Sequence, residues 1–175
     1  KAQNTLQYVK DVLVTYLKRV KKGSMLKYFL LASLVTLSDQ FTKILVIKNI
    51  SNEQFISINS YFYLVHFKNA GAAFSFLSDA GGWQRYFLSI VAAIASVYIT
   101  FMIKKHKDEL YMGLGLSLIL GGALGNLYDR ISLGYVTDFL YFHFNDYYWP
   151  AFNVADTAIT IGAVILFFEL ITKKA

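Results

Sequence analysis

Two stretches of this chain run for eighteen residues or more without a charge: residues 86–103, 18 long, and residues 110–128, 19 long. A helix of that length spans about 27 Å, close to the ~30 Å hydrocarbon core of a bilayer. In lipid the backbone must satisfy its own hydrogen bonds, so uninterrupted apolar runs of this kind fold as helices. Two further runs share the character. Residues 26–47 are apolar apart from a few polar side chains, Asp39 and Lys43 among them, and residues 153–172 carry Glu169 close to one end. The chain is 56% hydrophobic and only 16% charged, against about 25% in soluble domains. With 175 residues it has room for one membrane domain. The expected fold is integral membrane and α-helical: a single four-span domain over residues 25–175, with spans near 26–47, 86–103, 110–128 and 153–172.

The net charge of +6 is distributed as topology charge. Lys10, Lys18, Arg19, Lys21, Lys22 and Lys27 precede the first span. Lys104, Lys105 and Lys107 separate the second from the third, and Lys173 and Lys174 follow the fourth. All fall on one side of a four-span chain, and the positive-inside rule makes that side cytoplasmic. Both termini are then inside, and segments 48–84 and 129–154 are outside. No basic-aromatic motif accompanies the clusters, so no nucleic-acid partner is expected. Cysteine is absent, which excludes disulfides, thiolate catalysis and Cys-ligated metals.

Residues 1–24 place Leu6, Val9, Leu13, Val14, Leu17 and Val20 at helical spacing among lysines. They read as a basic amphipathic helix on the cytoplasmic membrane surface, or as an added leader joined to the chain through Gly23-Ser24-Met25. In segment 48–84, Ile58, Tyr61, Tyr63, Val65 and Phe67 alternate as in a strand. Small residues follow, and Asp79-Ala80-Gly81-Gly82 is a turn. A small extracytoplasmic β platform with a short interfacial helix is expected there. Gly121 and Gly125 form a GxxxG pair suited to close helix packing.

The chemistry concentrates in residues 121–156, which hold Asp129, Asp138, Asp146 and Asp156 but only one cation, Arg130. Carboxylates at the edge of a membrane are expensive, and function is the default reason for them. Two that meet in a low-dielectric site share a proton, and such a pair can activate water while protonating a carbonyl or a leaving amine. The bland alternative assigns Asp156, ahead of Thr157-Ala158-Ile159, to a helix N-cap. Asp129 adjoins Arg130 and reads as part of a local or network ion pair, and Asp146 as turn surface. Asp39 and Lys43, four apart, pair on one helix face. The histidines, His66, His106 and His143, are scattered, and no HExxH, GxSxG or phosphate-binding glycine pattern occurs. A proton-coupled transporter would place acids near the bilayer midplane and show internal repeats; a mere scaffold would not need polar motifs in both outer segments.

In order along the chain, these pieces resemble the lipoprotein signal peptidases, the type II signal peptidases of bacteria. The matching motifs are Asp39-Gln40-x-Thr42-Lys43 and Lys68-Asn69-Ala70-Gly71-Ala72-Ala73-Phe74-Ser75. Then come Gly121-Gly122-Ala123-Leu124-Gly125-Asn126-x-x-Asp129-Arg130, Val136-Thr137-Asp138-Phe139 and Phe152-Asn153-x-Ala155-Asp156. The resemblance covers about residues 26–175. It implies an aspartic endopeptidase of the bacterial inner membrane, with its active site near the periplasmic face. Such an enzyme removes the signal peptide of a diacylglyceryl-modified prolipoprotein just before the lipidated cysteine and uses no cofactor. It implies that Asp138 and Asp156 are the catalytic dyad. Asn69, Asn126, Arg130 and Asn153 would line the site, and Asp39, Lys43 and Asp129 would support it. The partners implied are the prolipoprotein and membrane lipid, and a monomer is expected. Lys68 departs from the arginine usual in the family, keeping the charge but losing the bidentate fork. Thr137 is also less usual there.

Overall fold

The computed structural model describes residues 24–71 and 81–173. The amphipathic segment expected over 1–24 lies, Ser24 apart, outside the described residues, and so do residues 72–80 of the segment in which a short interfacial helix is expected. Four helices are long and apolar enough to cross a membrane: α1 (Met25–Asn49), α2 (Trp83–Lys105), α3 (Leu110–Ser132) and α4 (Val154–Thr172). Three exceed the expected spans by a few residues, because hydropathy marks where side chains leave hydrocarbon, not where backbone hydrogen bonds stop. The extension matters most in α3, where it carries Asp129 and Arg130 onto the last turn.

Helix α3 is the central one. Its apolar stretch is 56% buried, against 17–22% for the other three. Its glycines explain the approach. A Cβ on Gly121 would stand 2.6 Å from the Ala32 carbonyl oxygen of α1, and one on Gly122 would stand 2.4 Å from that of Ala155 in α4. In a bilayer no hydrophobic drive holds helices together, so close backbone contact and polar bonds do that work. Tyr28, Ala32, Ile99, Ile103, Met112, Leu116 and Leu120 form the apolar cluster joining α1, α2 and α3. Leu34, Val97 and Phe168 point outward and are more than half exposed, as lipid-facing residues should be. The Tyr28 hydroxyl donates to the Glu109 carbonyl at 3.2 Å, and Lys173 pairs with Glu109. The start of α1, the start of α3 and the end of α4 therefore meet at one end of the bundle.

At the other end stands an antiparallel sheet in the order β1-β2-β3-β4: β1 (Phe55–Asn59), β2 (Phe62–Asn69), β3 (Val136–Phe144) and β4 (Tyr147–Tyr148). The single alternating strand expected in segment 48–84 is a hairpin, turning at Ser60-Tyr61. The connection between the last two spans, expected to be a loop carrying Asp138, is instead β3. Its β-branched and aromatic run, VTDFLYFHF, suits a pleated surface, and it pairs along β2. Leu64 lies opposite Leu140 but Phe67 opposite Asp138, so Val65 and His66 on β2 face only Phe139. This bulge buries both Val65 and His66, which a regular strand would send to opposite faces. Val46, Ile50 and Phe139, with Ile56, Leu64, Leu140 and Val154, fasten the sheet to the ends of α1 and α4.

Candidate active site

The polar interior begins with Lys43. Its side chain is 2% exposed, and its ammonium lies 2.7 Å from Asp39 Oδ2 and 2.9 Å from Asp129 Oδ2. The expected pairing of Asp39 with Lys43 is present. Asp129 does not use its neighbour Arg130 as the local partner, since successive helix residues face different ways; its ion pair crosses to Lys43 on α1. Both carboxylates are otherwise satisfied. Asp39 Oδ1 accepts the Ala155 N–H at 2.9 Å, and Asp129 accepts from the Gln40 amide at 2.8 Å and the Thr137 N–H at 3.2 Å. The cluster therefore ties α1 to α3, to the first turn of α4 and to the start of β3. Gly125 is required beside it, because a Cβ there would stand 2.6 Å from Asp39 Oδ2.

One bond further on, three asparagines hold two more aspartates, Asp138 and Asp156. Asn126 Oδ1 accepts from Lys43 Nζ at 2.9 Å, and its Nδ2 donates to Asp156 Oδ1 at 2.8 Å. Asn153 Oδ1 accepts the Asp156 N–H at 2.9 Å, and its Nδ2 donates to Asp138 Oδ1 at 2.7 Å. Asn69 Oδ1 accepts the Gly71 N–H at 2.9 Å, and its Nδ2 donates to Asp138 Oδ2 at 2.9 Å. In each case a nitrogen donor occupies the amide oxygen, so the amino group is the end left to face a carboxylate. Asn153, fully buried, caps α4, and Asp156 Oδ2 accepts the Asn153 N–H at 3.3 Å to close a capping box. The N-cap reading of Asp156 is thus corrected: the cap is Asn153, three residues earlier, and Asp156 supports it from the first turn.

Asp138 and Asp156 both line one cleft of about 570 Å³. It opens between Ala92, Ala123, Ile159 and Ile161 of the helices on one side and residues 149–152 on the other. Asp138 is 3% exposed. Burial, and after it the neighbouring Asp156, pushes its carboxyl up to about 7 against the pull of Asn69, Asn153 and Lys43. Arg130 lines the same cleft, donates Nη2 to the Gly71 carbonyl at 2.9 Å, and keeps a buried Nε without a hydrogen-bond partner. The structure thus brings Asn69, Asn126, Arg130, Asn153, Asp138 and Asp156 together at the cleft, with Asp39, Lys43 and Asp129 packed behind. Asp146 stands apart in the exposed β3–β4 turn.

Sequence reasoning gave no role to several residues here. Gln40 braces Asp129. Arg85 donates to the Arg130 and Ile131 carbonyls at 2.8 and 2.9 Å, filling acceptors the end of α3 leaves open. Trp149, Pro150, Ala151 and Phe152 form a cleft wall. A lone proline between a Trp and two small or aromatic residues was the available signal for that wall.

The comparisons with known proteins agree with one another. Lipoprotein signal peptidases from Cupriavidus taiwanensis and Teredinibacter turnerae are 46% and 49% identical over 79% and 82% of the chain, covering 78% and 86% of their own lengths. The one from Pseudoalteromonas atlantica is 43% identical over 87% of the chain and 94% of its own. A bacterial membrane enzyme solved by the in meso method at 2.3 Å superposes with a TM-score of 0.80 at 28% identity, over 88% of this chain and 93% of the other. A second, at 1.9 Å, gives 0.70 at 31% identity over 85% and 95%. The family described as signal peptidase (SPase) II matches residues 31–172, and the chain belongs to that family.

Proposed function

We propose that this chain is an aspartic endopeptidase. It removes the signal peptide from diacylglyceryl-modified prolipoproteins, cutting just before the lipidated cysteine, with Asp138 and Asp156 as the catalytic pair. The observation that carries the reading is the site itself. Two carboxylates from separate elements, β3 and α4, line one cleft at a helix end, and Asp138 titrates near neutrality. Two carboxyls that interact in this way titrate as a unit, and one proton shared between them gives the site an acid and a base. The ionised aspartate takes a proton from water as the oxygen attacks the scissile carbonyl. The protonated one donates to the carbonyl oxygen. On collapse the C–N bond breaks, and the amine leaves with the proton taken from water. Asn69, Asn126 and Asn153 hold the two carboxyls in place, and the unpartnered Arg130 Nε has a peptide carbonyl as its natural acceptor.

The apolar cleft wall suits a diacylglyceryl group and the apolar part of a signal peptide. The basic residues Lys104, Lys105 and Lys173 lie away from the dyad, at the bundle end where Glu109 meets Lys173. This supports a cytoplasmic location for that end, both termini inside, and a periplasmic-face active site in the inner membrane. The enzyme works as a monomer, since the dyad and its supports come from one chain. Purified protein should convert a diacylglyceryl prolipoprotein to its shorter form on a gel. Asp138→Asn and Asp156→Asn, inserted normally, should each abolish the conversion. Normal turnover by either variant would remove the assignment.

A further inference from the structure

A second groove, about 850 Å³, also has Asp138 in its lining. Its walls differ in kind from those of the first. Among the described residues that line it, none belongs to a helix. Its floor is aromatic: Phe55 of β1, Phe67 of β2 and Tyr141 of β3 touch one another edge-on, with ring centroids 5.5 to 6.0 Å apart. Its rim carries Glu53 and Lys68, both exposed. Glu53 holds a left-handed backbone, φ 62, and is fixed there by its N–H to the His66 carbonyl at 2.9 Å. A non-glycine residue kept in that conformation is a mark of a shaped site. Asn69, Asp138, Pro150 and Ala151 line both cavities.

We infer that the second groove seats the substrate residues that follow the scissile bond, in extended form, while the first cleft seats those that precede it. The inference rests on the reading of this site as a prolipoprotein peptidase. A substrate held across Asp138 must send one arm to each side. The arm before the bond is the apolar signal segment, and only the first cleft has helix walls in the hydrocarbon to receive it. The arm beyond the lipidated cysteine leads to a water-soluble chain, and only the second groove is built wholly from sheet and loop residues beyond the helix ends. Three neighbouring strands at ~4.8 Å make a floor roughly 10 Å across, room for about three extended residues at ~3.3 Å each. Edge-packed rings offer contact to backbone and side chains of any sequence, and the opposed charges of Lys68 and Glu53 give polar ends to hold. This suits an enzyme that must accept many different mature chains.

The absence of cysteine from the chain makes the test clean. Glu53→Cys places a unique thiol on the second groove, and Thr160→Cys, on α4, places one on the first cleft. Each is made in an Asp156→Asn background, so that bound substrate stays whole, and a thermal midpoint close to that of the cysteine-free Asp156→Asn protein shows correct folding. The substrates are diacylglyceryl prolipopeptides whose modified cysteine is blocked. A second cysteine stands either about three residues beyond it, the reach of the groove floor, or in the signal segment. A short bismaleimide should join the Glu53→Cys protein to the thiol beyond the bond and not to the one before it, with the opposite pattern for Thr160→Cys. Capture of the signal segment by Glu53→Cys would overturn the inference. So would no capture by Glu53→Cys of either substrate when Thr160→Cys captures its own. Failure of the unmodified active protein to cleave either peptide would instead overturn the peptidase reading.

Discussion

Replacing Asp138 by asparagine should change not just activity but the way stability depends on pH. Asp138 rises from an ordinary 3.8 to about 7 in the folded protein, a difference of roughly 4 kcal/mol at about 1.36 kcal/mol per unit. The sign follows from which state holds the proton. Between pH 4 and 7 the folded protein keeps it while the unfolded chain has released it, so stability falls as pH climbs through that window. Below about pH 4 both states are protonated and the penalty vanishes; above 7 it is fully present. Asparagine does not titrate and escapes the penalty. It brings its own defect, because Asn69 and Asn153 both present amino groups to this position and one of them would face another donor, at about 1–3 kcal/mol. That defect is independent of pH. The prediction is therefore the change in the difference: relative to wild type, Asp138→Asn should gain about 4 kcal/mol between pH 4 and pH 8. Equilibrium unfolding in mixed detergent micelles at several pH values measures it. Parallel stability curves for the two proteins would refute the burial account of Asp138.

Lys43→Met should lose about 3–5 kcal/mol, because it strands Asp39 and Asp129 as buried charges; adding Asp39→Asn and Asp129→Asn should recover most of the loss in thermal unfolding. Gly122→Ala should lower the thermal midpoint and slow cleavage, since its Cβ would press the Ala155 carbonyl and shift the first turn of α4, an overpacking worth about 1–3 kcal/mol. Asn69→Ala should move the pH-rate limb belonging to Asp138 upward by about one to two units, as a donor to a carboxylate is lost. An unmoved limb in kcat/KM would show that Asn69 does not sense that charge.

The four spans were legible because lipid allows so few alternatives: an uncharged run of membrane length must be a helix. The pairing of Asp39 with Lys43 followed from helix geometry alone. The partner of Asp129 was not legible, since nothing in one sequence says that α1 and α3 cross at this height; adjacency to Arg130 left a local or a network ion pair open, and the network form, through Lys43, is the one present. Strand β3 hid for a different reason. Its aromatic alternation is broken by Asp138 and read beside two helix ends, whereas its stability comes from β2, some seventy residues earlier. Choosing Asp138 over Asp129 as partner to Asp156 needed the family resemblance. In the fold Asp129 is paired with a lysine, whereas two neutral amides, of Asn69 and Asn153, donate to Asp138. The hairpin's bulge, which changes the pairing between Leu64 and Asp138, left no trace in the pattern of polar and apolar residues.

The three oriented amides have a consequence for ageing. Asparagine is among the less durable side chains when heated, and its decay product is an acid. At Asn69, Asn126 or Asn153 that change would replace the donor facing an aspartate with a like charge, so a modification that adds only about one mass unit would silence the site without unfolding the protein. Decay requires the side chain to turn onto the following backbone nitrogen. All three amides are held at both ends, but Asn126 lies within a helix and Asn153 at the cap of one. Asn69 sits at the end of a strand, outside any helix. Warmed enzyme should therefore lose activity in step with deamidation at Asn69 first, a sequence that peptide mass spectrometry can follow.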